Sequence, residues 1–118
     1  MADNYITKKE DFGSINISED VISTIVRSCI SEVEGAAGVS SSIGADFAEK
    51  IGWKNFNTGV RIKMNDSGIV VDIVMHVNYG YNIVEVAGKV QENVRSTLQS
   101  MTGIDDIQVN VHVAGISF

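Results

Sequence analysis

The two histidines carry the most versatile chemistry in this sequence. His76 and His112 each lie where apolar and polar residues alternate, so both are predicted on strands, facing away from the apolar rows. Two imidazoles and a carboxylate such as Asp72 suit zinc, but only if the two strands are adjacent and in register. A solvated outer sheet face produces the same pattern, so the sequence favours a polar sheet face without a metal or other cofactor. Its candidate residues are Asp72, His76, Asn78, Asn110 and His112, with Gln108 on the same side.

Nucleophilic side chains follow no catalytic pattern. The run Ser40–Ser42 lacks the glycine elbow that exposes an acyl-transfer serine. Cys29 is the single cysteine, so no intramolecular disulfide can form. It lies in the apolar face of a predicted helix, where a thiol is usually a small buried hydrophobe. We therefore predict no catalytic residue and no enzymatic activity.

A basic and aromatic segment spans residues 50–63. It holds four cations and two rings with no acidic residue, namely Lys50, Trp53, Lys54, Phe56, Arg61 and Lys63. Positive charge beside stacking rings suits single-stranded nucleic acid, and Gly35–Gly38 matches the G-x-x-G spacing of KH domains. Yet Arg61 and Lys63 are the expected outward residues of a strand, and the rings can cover the core or dock an acidic protein. The six residues are candidates for partner binding, with nucleic-acid binding as the alternative.

Composition fits one compact domain with a single core. The chain has 118 residues, of which 44% are hydrophobic, and 15 acidic residues outweigh 9 basic ones to give a net charge of −6. This charge disfavours nonspecific attraction to phosphate backbones and anionic membranes, so nucleic acid is not the expected partner. The start of the chain lacks the apolar run of a secretory signal, and no apolar stretch is long enough to cross a bilayer. We predict a cytoplasmic protein.

The first half of the chain predicts a tail, a strand and a helix. Residues 1–12 are polar and aperiodic, which predicts a loose tail before a single domain over 13–118. Ser14–Ile17 predicts a strand, and Ser18 can cap the following helix. That helix has one apolar face and is ended by Gly35; the face comprises Val21, Ile22, Ile25, Val26, Cys29, Ile30 and Val33. Two acids near its C-terminus, Glu32 and Glu34, oppose the helix dipole and call for compensation.

The second half predicts three strands and a second helix. After a strand over 39–43 and a short helical turn over 46–51, Val60–Met64 and Ile69–Tyr79 form a hairpin around the turn at 65–68. Asn82 and Glu85 have the spacing of a capping box, and Gly103 closes the helix. Its predicted apolar face is Ile83, Val86, Ala87, Val90, Val94, Leu98 and Met101. The alternation over Ile107–Ala114 predicts the last strand.

These elements predict an α+β fold in the order β-α-β-β-β-α-β. Neither amphipathic helix can bury its apolar stripe alone. Both are therefore expected on one face of a mostly antiparallel or mixed sheet of four to five strands.

Seven short segments resemble one protein family when they are taken in order. They are G-S-I-N-I-S-E-D-V-I from Gly13, E-V-E-G-A-A-G-V from Glu32, F-N-T-G-V-R-I from Phe56, V-N-Y-G-Y-N-I-V-E-V-A from Val77, V-Q-E-N-V-R from Val90, M-T-G-I from Met101 and V-N-V-H-V-A-G-I-S-F from Val109. Together they cover residues 13–118. The chain thereby resembles the alkaline shock (envelope stress response) proteins of Gram-positive bacteria, in a short form without the long charged tail of some relatives.

The resemblance implies a role in cell-envelope stress or homeostasis without enzymatic activity. Some members of that family sit at the inner face of the membrane through a separate membrane-anchored partner and can self-associate, and other small members are linked to fatty-acid and lipid metabolism. The resemblance supplies no catalytic motif. We therefore expect a protein-binding or scaffold factor without a membrane span of its own, with protein partners that include a membrane-anchored one, and with homo-oligomers left open.

Overall fold

The computed structural model describes residues 5–10, 12–39, 59–65 and 68–118. Within these ranges two helices and six strands follow one another along the chain. They are β1 (Tyr5–Glu10), β2 (Gly13–Ser18), α1 (Glu19–Ser31), β3 (Ala36–Val39), β4 (Val60–Met64), β5 (Ile69–Asn78), α2 (Ile83–Thr102) and β6 (Ile107–Ser117). The predicted α+β class and element order are confirmed, with β1 as an additional strand at the start.

The main sheet is organised around β5. Strands β3 and β4 both run antiparallel to β5 along the same edge, with β3 beside its C-terminal part and β4 beside its N-terminal part. On the other edge β6 runs parallel to β5 from Ile69↔Ile107 to Asn78↔Ser117. A parallel neighbour requires a crossover connection, and α2 provides it. The predicted mixed sheet is thus a β3/β4–β5–β6 arrangement.

Both helices pack on one face of this sheet. The residues of β5 that face them are Ile69, Val71, Ile73, Met75 and Val77, which are all buried. Helix α1 contributes Ile22, Val26 and Ile30 to the same core, and α2 contributes Val86, Val90, Val94 and Leu98. The two helical stripes predicted from the sequence therefore meet the sheet, except at Val21, Ile83 and Met101, which are exposed. Among the described residues, no helix has the length and hydropathy needed to span a membrane.

Local capping signals explain where both helices begin and where α2 ends, whereas α1 ends at Ser31, before the predicted Gly35. The Ser18 hydroxyl accepts a hydrogen bond from the Val21 amide, and the Asn82 side chain accepts one from the Glu85 amide at 2.9 Å. Gly103 adopts the left-handed conformation with φ 76°, and its N–H closes α2 on the Gln99 carbonyl. These three predicted caps are confirmed.

The two acids at the end of α1 are compensated by neutral donors. The Asn93 amide of α2 donates to the Cys29 carbonyl at 2.9 Å and to the Glu32 carboxylate at 3.3 Å. The Tyr81 hydroxyl donates to the Glu34 carboxylate at 3.2 Å. Neutral donors from the second helix and the loop before it thus contact these exposed acids, in place of the expected basic group or partner surface.

Residues 5–10 depart from the predicted loose tail. Strand β1 pairs antiparallel with β2 along its whole length, from Tyr5↔Ser18 to Glu10↔Gly13. Tyr5, Ile6 and Thr7 favour extended backbone, and pairing with β2 satisfies that preference. The expected tail over 1–12 therefore does not hold for Tyr5–Glu10.

Three further expectations are corrected. Strand β3 occupies Ala36–Val39 rather than 39–43, because it begins directly after the turn at Gly35, whose carbonyl accepts from the Asn78 amide at 2.8 Å. Met101 is 63% exposed, since the buried stripe of α2 continues by steps of four residues from Leu98 to Thr102. Ile83, in the first turn of α2, is also exposed. The predicted residues 40–43 and the helical turn over 46–51 lie outside the described residues.

Candidate functional site

The face of the main sheet opposite the helices assembles most of the predicted site residues. We call it the outer sheet face; it comprises Arg61 and Lys63 of β4, Asp72, His76 and Asn78 of β5, and Gln108, Asn110 and His112 of β6. Strands β5 and β6 are adjacent, as the sequence argument required. All five polar residues predicted from β5 and β6 therefore lie on one continuous surface.

A row of hydrogen-bonded side chains crosses this face. The register places Asp72 opposite Arg61 on β4 and opposite Asn110 on β6. The Asn110 amide donates to the Asp72 carboxylate at 2.9 Å, and the Gln108 amide donates to the Asn110 side-chain oxygen at 3.3 Å. The row therefore presents fixed donors and acceptors rather than freely rotating side chains.

Gly115 positions the ring of His76, and sequence reasoning did not identify it. A Cβ atom at residue 115 would lie 2.6 Å from His76 Cδ2 and 2.9 Å from His76 Nε2. The β6 register shifts at this point, so that Met75 pairs with Val113 and His76 with Gly115. The signal available in the sequence was a glycine inside an alternating strand, which marks a bulge or a close approach.

Val74 interrupts the polar face with an apolar side chain. It lies between Asp72 and His76 on β5, in register with His112, and is fully buried although it does not belong to the core beneath the helices. Its amide donates to the Gly59 carbonyl at 2.8 Å. The outer sheet face is thus polar around a covered apolar centre.

The described side chains of this face do not form a cluster of metal ligands. The Asp72 carboxylate that a metal site would use accepts from Asn110. Within residues 5–10, 12–39, 59–65 and 68–118, no three His, Cys, Asp or Glu side chains come together as metal ligands would. The two imidazoles, three carboxamides and one carboxylate of β5 and β6 on this face offer hydrogen bonds of both polarities.

Only part of the basic and aromatic segment over 50–63 lies within the described residues. Lys50, Trp53, Lys54 and Phe56 lie outside the described residues. Arg61 is half-buried opposite Asp72 and already has an interaction partner, whereas Lys63 is exposed. Their role in partner binding, and the nucleic-acid alternative, remain predictions.

An exposed aromatic cluster lies where β5 and β6 end. The rings of Tyr79 and Phe118 stack with centroids 5.0 Å apart and an interplanar angle of 27°, and both side chains are exposed. Nearby, the negative charge of Glu34, together with its hydrogen bond, raises the pKa of Tyr81 above its ordinary value of 10.0. Sequence reasoning assigned Tyr79 to the end of the strand and did not predict this cluster.

A groove of about 350 Å³ runs between the helices. It is lined by Thr24, Ile25, Ser28, Cys29, Glu32, Thr97 and Met101. Cys29 is buried, as the sequence predicted.

A helix-backed mixed sheet with a hydrogen-bonded polar outer face defines a small α+β domain whose surface is suited to recognition. The chain belongs to the alkaline shock protein 23 family, which is described by a cell envelope-related function and matches residues 7–118. That description names no reaction.

Relatives in Gram-positive bacteria align with nearly the whole chain. The uncharacterized protein YqhY of Bacillus subtilis (strain 168) is 34% identical over 122 residues, covering 100% of this chain and 90% of that protein. The uncharacterized protein Spy1614 of Streptococcus pyogenes serotype M6 is 37% identical over 106 residues, covering 88% of each. The solved structure MamM-CTD superposes with a TM-score of 0.47 at 14% identity, over 80% of this chain and 98% of that one.

Proposed function

We propose that this protein is a non-catalytic protein-binding or scaffold factor in cell-envelope stress or lipid homeostasis, and that it binds its partner through the outer sheet face. The observation that carries the proposal is the row from Gln108 through Asn110 to Asp72, which is held by hydrogen bonds on a face that neither helix covers. The family's cell envelope-related function gives the setting.

The row favours binding because its geometry exists before a partner arrives. Side chains that are already immobilised lose less conformational entropy on association than free ones. Gln108 within the row and Lys63 on β4 are both exposed and can pair with acidic or polar groups of a partner. Such a mixed polar surface provides orientation and specificity more than raw affinity.

A non-catalytic role agrees with the state of the reactive groups. The Asp72 carboxylate accepts from Asn110, and the Cys29 thiol is buried beneath α1. Neither is presented to a substrate as a general base or nucleophile would be. We place the protein in the cytoplasm and propose that a membrane-anchored protein recruits it to the inner face of the membrane.

Site-specific photocrosslinking tests this proposal. A photoreactive amino acid replaces Gln108 on the outer sheet face or Glu92 on the exposed side of α2, in a Gram-positive host, and membrane and soluble fractions are analysed separately. We expect the probe at 108 to capture one defined protein reproducibly, with reciprocal capture from that protein, and the probe at 92 to capture none. Equal capture from both positions, or turnover of a metabolite that is lost in the His76→Ala/His112→Ala variant, would contradict the proposal.

A further inference from the structure

Large apolar side chains gather at the end of the main sheet where β5 and β6 finish. Tyr79 and Phe118 are 71% and 98% exposed, and Val84 in the first turn of α2 is 80% exposed. We call this surface the apolar end patch; it comprises Tyr79, Tyr81, Ile83, Val84 and Phe118. Exposed apolar side chains that stand singly are ordinary, whereas a contiguous group of them marks a contact surface.

Backbone and ring contacts make this patch contiguous. The Tyr79 amide donates to the Ser117 carbonyl at 2.8 Å, which holds the end of β6 beside the turn that leads into α2. The rings of Tyr79 and Phe118 stack with centroids 5.0 Å apart, so the two side chains present one apolar surface. Ile83 and Val84 follow directly from the same turn.

The apolar end patch is separate from the outer sheet face. Tyr79 follows Val77 by two residues, so it continues the row of β5 that faces the helices. Phe118 likewise continues the row of β6 to which Ile116 belongs, and Ile116 packs against the core. Both rows run past the start of α2, which covers them further along the sheet. A contact at this end is therefore independent of partner binding through the outer sheet face.

The charged side chains around the patch favour a cation. Three glutamates and no Lys, Arg or His occur over the described residues 32–36, 78–86 and 115–118. Glu85 lies 3.8 Å from Lys89, one turn further along α2. Glu34 is exposed, and the contact to its carboxylate from Tyr81 is a neutral hydroxyl. It also follows the C-terminal end of α1, where the helix dipole is negative and the last turn holds no basic residue.

Glu34 and Tyr81 are arranged to hold a guanidinium group. The Tyr81 ring rests against Gly35, where a Cβ atom would lie 2.7 Å from Cδ2, and 42% of Tyr81 stays exposed. Its hydroxyl donates to the Glu34 carboxylate at 3.2 Å, and a carboxylate keeps further acceptor positions after one such bond. An arginine can pair with this carboxylate while it stacks on the exposed part of the ring, which the compact ammonium of lysine does less well.

We propose that the apolar end patch binds a segment of another protein in which an arginine is flanked by apolar residues. The apolar flanks cover Tyr79, Val84 and Phe118, and the guanidinium binds Glu34 beside Tyr81. Aromatic residues and arginine are enriched where protein interfaces carry most of their energy. Burial of the rings supplies affinity, and the charge pair supplies orientation.

Peptide selection tests the chemistry of this ligand. A random peptide library displayed on phage is selected on the immobilised full chain. We expect the recovered peptides to be enriched in arginine with Leu, Ile, Val or Phe beside it, and depleted in Asp and Glu, relative to the starting library. Recovery of peptides without this enrichment would overturn the proposal.

Affinity measurements on the most enriched peptide locate its site. Fluorescence anisotropy should show a loss of about tenfold or more for Tyr79→Ser/Val84→Ser. Glu34→Gln should cost about two- to fivefold, because a partly exposed ion pair contributes less. Met101→Ser and Glu92→Gln, at exposed positions of α2, are the matched apolar and acidic controls and should bind as the unmodified chain does. The proposal fails if the first two variants, with unchanged circular dichroism, bind the peptide as tightly as the controls.

Vesicle sedimentation and light scattering distinguish the other possible occupants of the patch. The chain should not sediment with vesicles of phosphatidylglycerol and phosphatidylcholine, because its net charge of −6 disfavours an anionic surface. The Tyr79→Ser/Val84→Ser change should leave the solution mass as it is in the unmodified chain. Sedimentation that this change abolishes would assign the patch to lipid, and an altered mass would assign it to a second copy; either result overturns the proposal.

Discussion

The two faces of strand β5 come from one alternating sequence but differ in how deeply their side chains are buried and in what those side chains contact. Towards the helices, its residues from Ile69 to Val77 are at most 1% exposed and contact only apolar neighbours of the core. On the outer sheet face, Asp72 and His76 remain half-exposed, and Asp72 is held by Asn110. The helix-side face supplies stability through buried area, whereas the outer face supplies fixed polar geometry with little burial.

This contrast implies that the outer face can change without loss of the fold. Truncation in the core leaves a cavity whose cost depends on volume, while a change among half-exposed polar groups costs little. Binding specificity can therefore vary over the outer sheet face while the helix-backed core stays constant. The following substitutions test how sharply the two faces differ.

The largest loss is expected beneath the helices. Leu98→Ala removes a fully buried side chain and should lower the free energy of unfolding by about 2 to 5 kcal/mol. Urea denaturation followed by circular dichroism measures it, with exposed Ser96→Ala on the same helix as the control. A loss below about 1 kcal/mol, on the scale of a surface change, would mean that the stripe of α2 is loosely packed.

Alanine substitutions at Gly35 and Gly80 separate the cost of backbone strain from the cost of a steric contact at the edge of the core. Gly35 and Gly80 both have positive φ, at 94° and 99°, but a Cβ at Gly35 would lie 2.7 Å from the Tyr81 ring, while Gly80 faces open space. Strain of this kind costs about 1 to 3 kcal/mol at either site, and Gly35→Ala should exceed Gly80→Ala because of the added contact. Equal losses in chemical denaturation would show that Tyr81 moves aside freely.

The corresponding change on the outer sheet face should cost less. Gly115→Ala meets only the His76 side chain, which can rotate away, so we expect a loss of about 0.5 to 1.5 kcal/mol. In a His76→Ala background the loss should largely disappear, giving a measurable coupling in a double-mutant cycle. A cost that persists without the imidazole would trace to the backbone of β6 instead.

The smallest expected effect is a change in the pKa of Tyr81, near the end of the sheet. The Glu34 carboxylate raises the pKa of Tyr81 above 10.0, so Tyr81 should ionise later than an ordinary tyrosine, and Glu34→Gln should lower its pKa. Because the folded state holds the proton more tightly, this contribution to stability is complete below the unfolded-state pKa and is lost as the pH rises through the folded one. Absorbance at high pH, with Tyr81→Phe subtracted, measures the shift; an unchanged titration in Glu34→Gln would contradict it.

Local periodicity was sufficient for most elements. The stripes of α1 and α2, the caps at Ser18 and Asn82, and the strand Val60–Met64 all follow from interactions within a few residues, which the sequence displays directly. Strand β1 and the position of β3 were not predicted. Strand β1 forms because Tyr5, Ile6 and Thr7 favour extended backbone and β2, directly after it, pairs with it. Strand β3 begins with small residues and is fixed by pairing with β5, far along the chain, which leaves little local signal.

The sequence by itself determined that this is an acidic α+β chain with two one-sided helices and an alternating final strand bearing His112. Only the tertiary structure decided that β6 lies parallel beside β5, which aligns Asp72 with Asn110 on the outer sheet face. It also decided that His76 rests over Gly115, thirty-nine positions along the chain. Alternation determines which face a residue takes, but register is set by the packing of whole elements, and register is what brings side chains together.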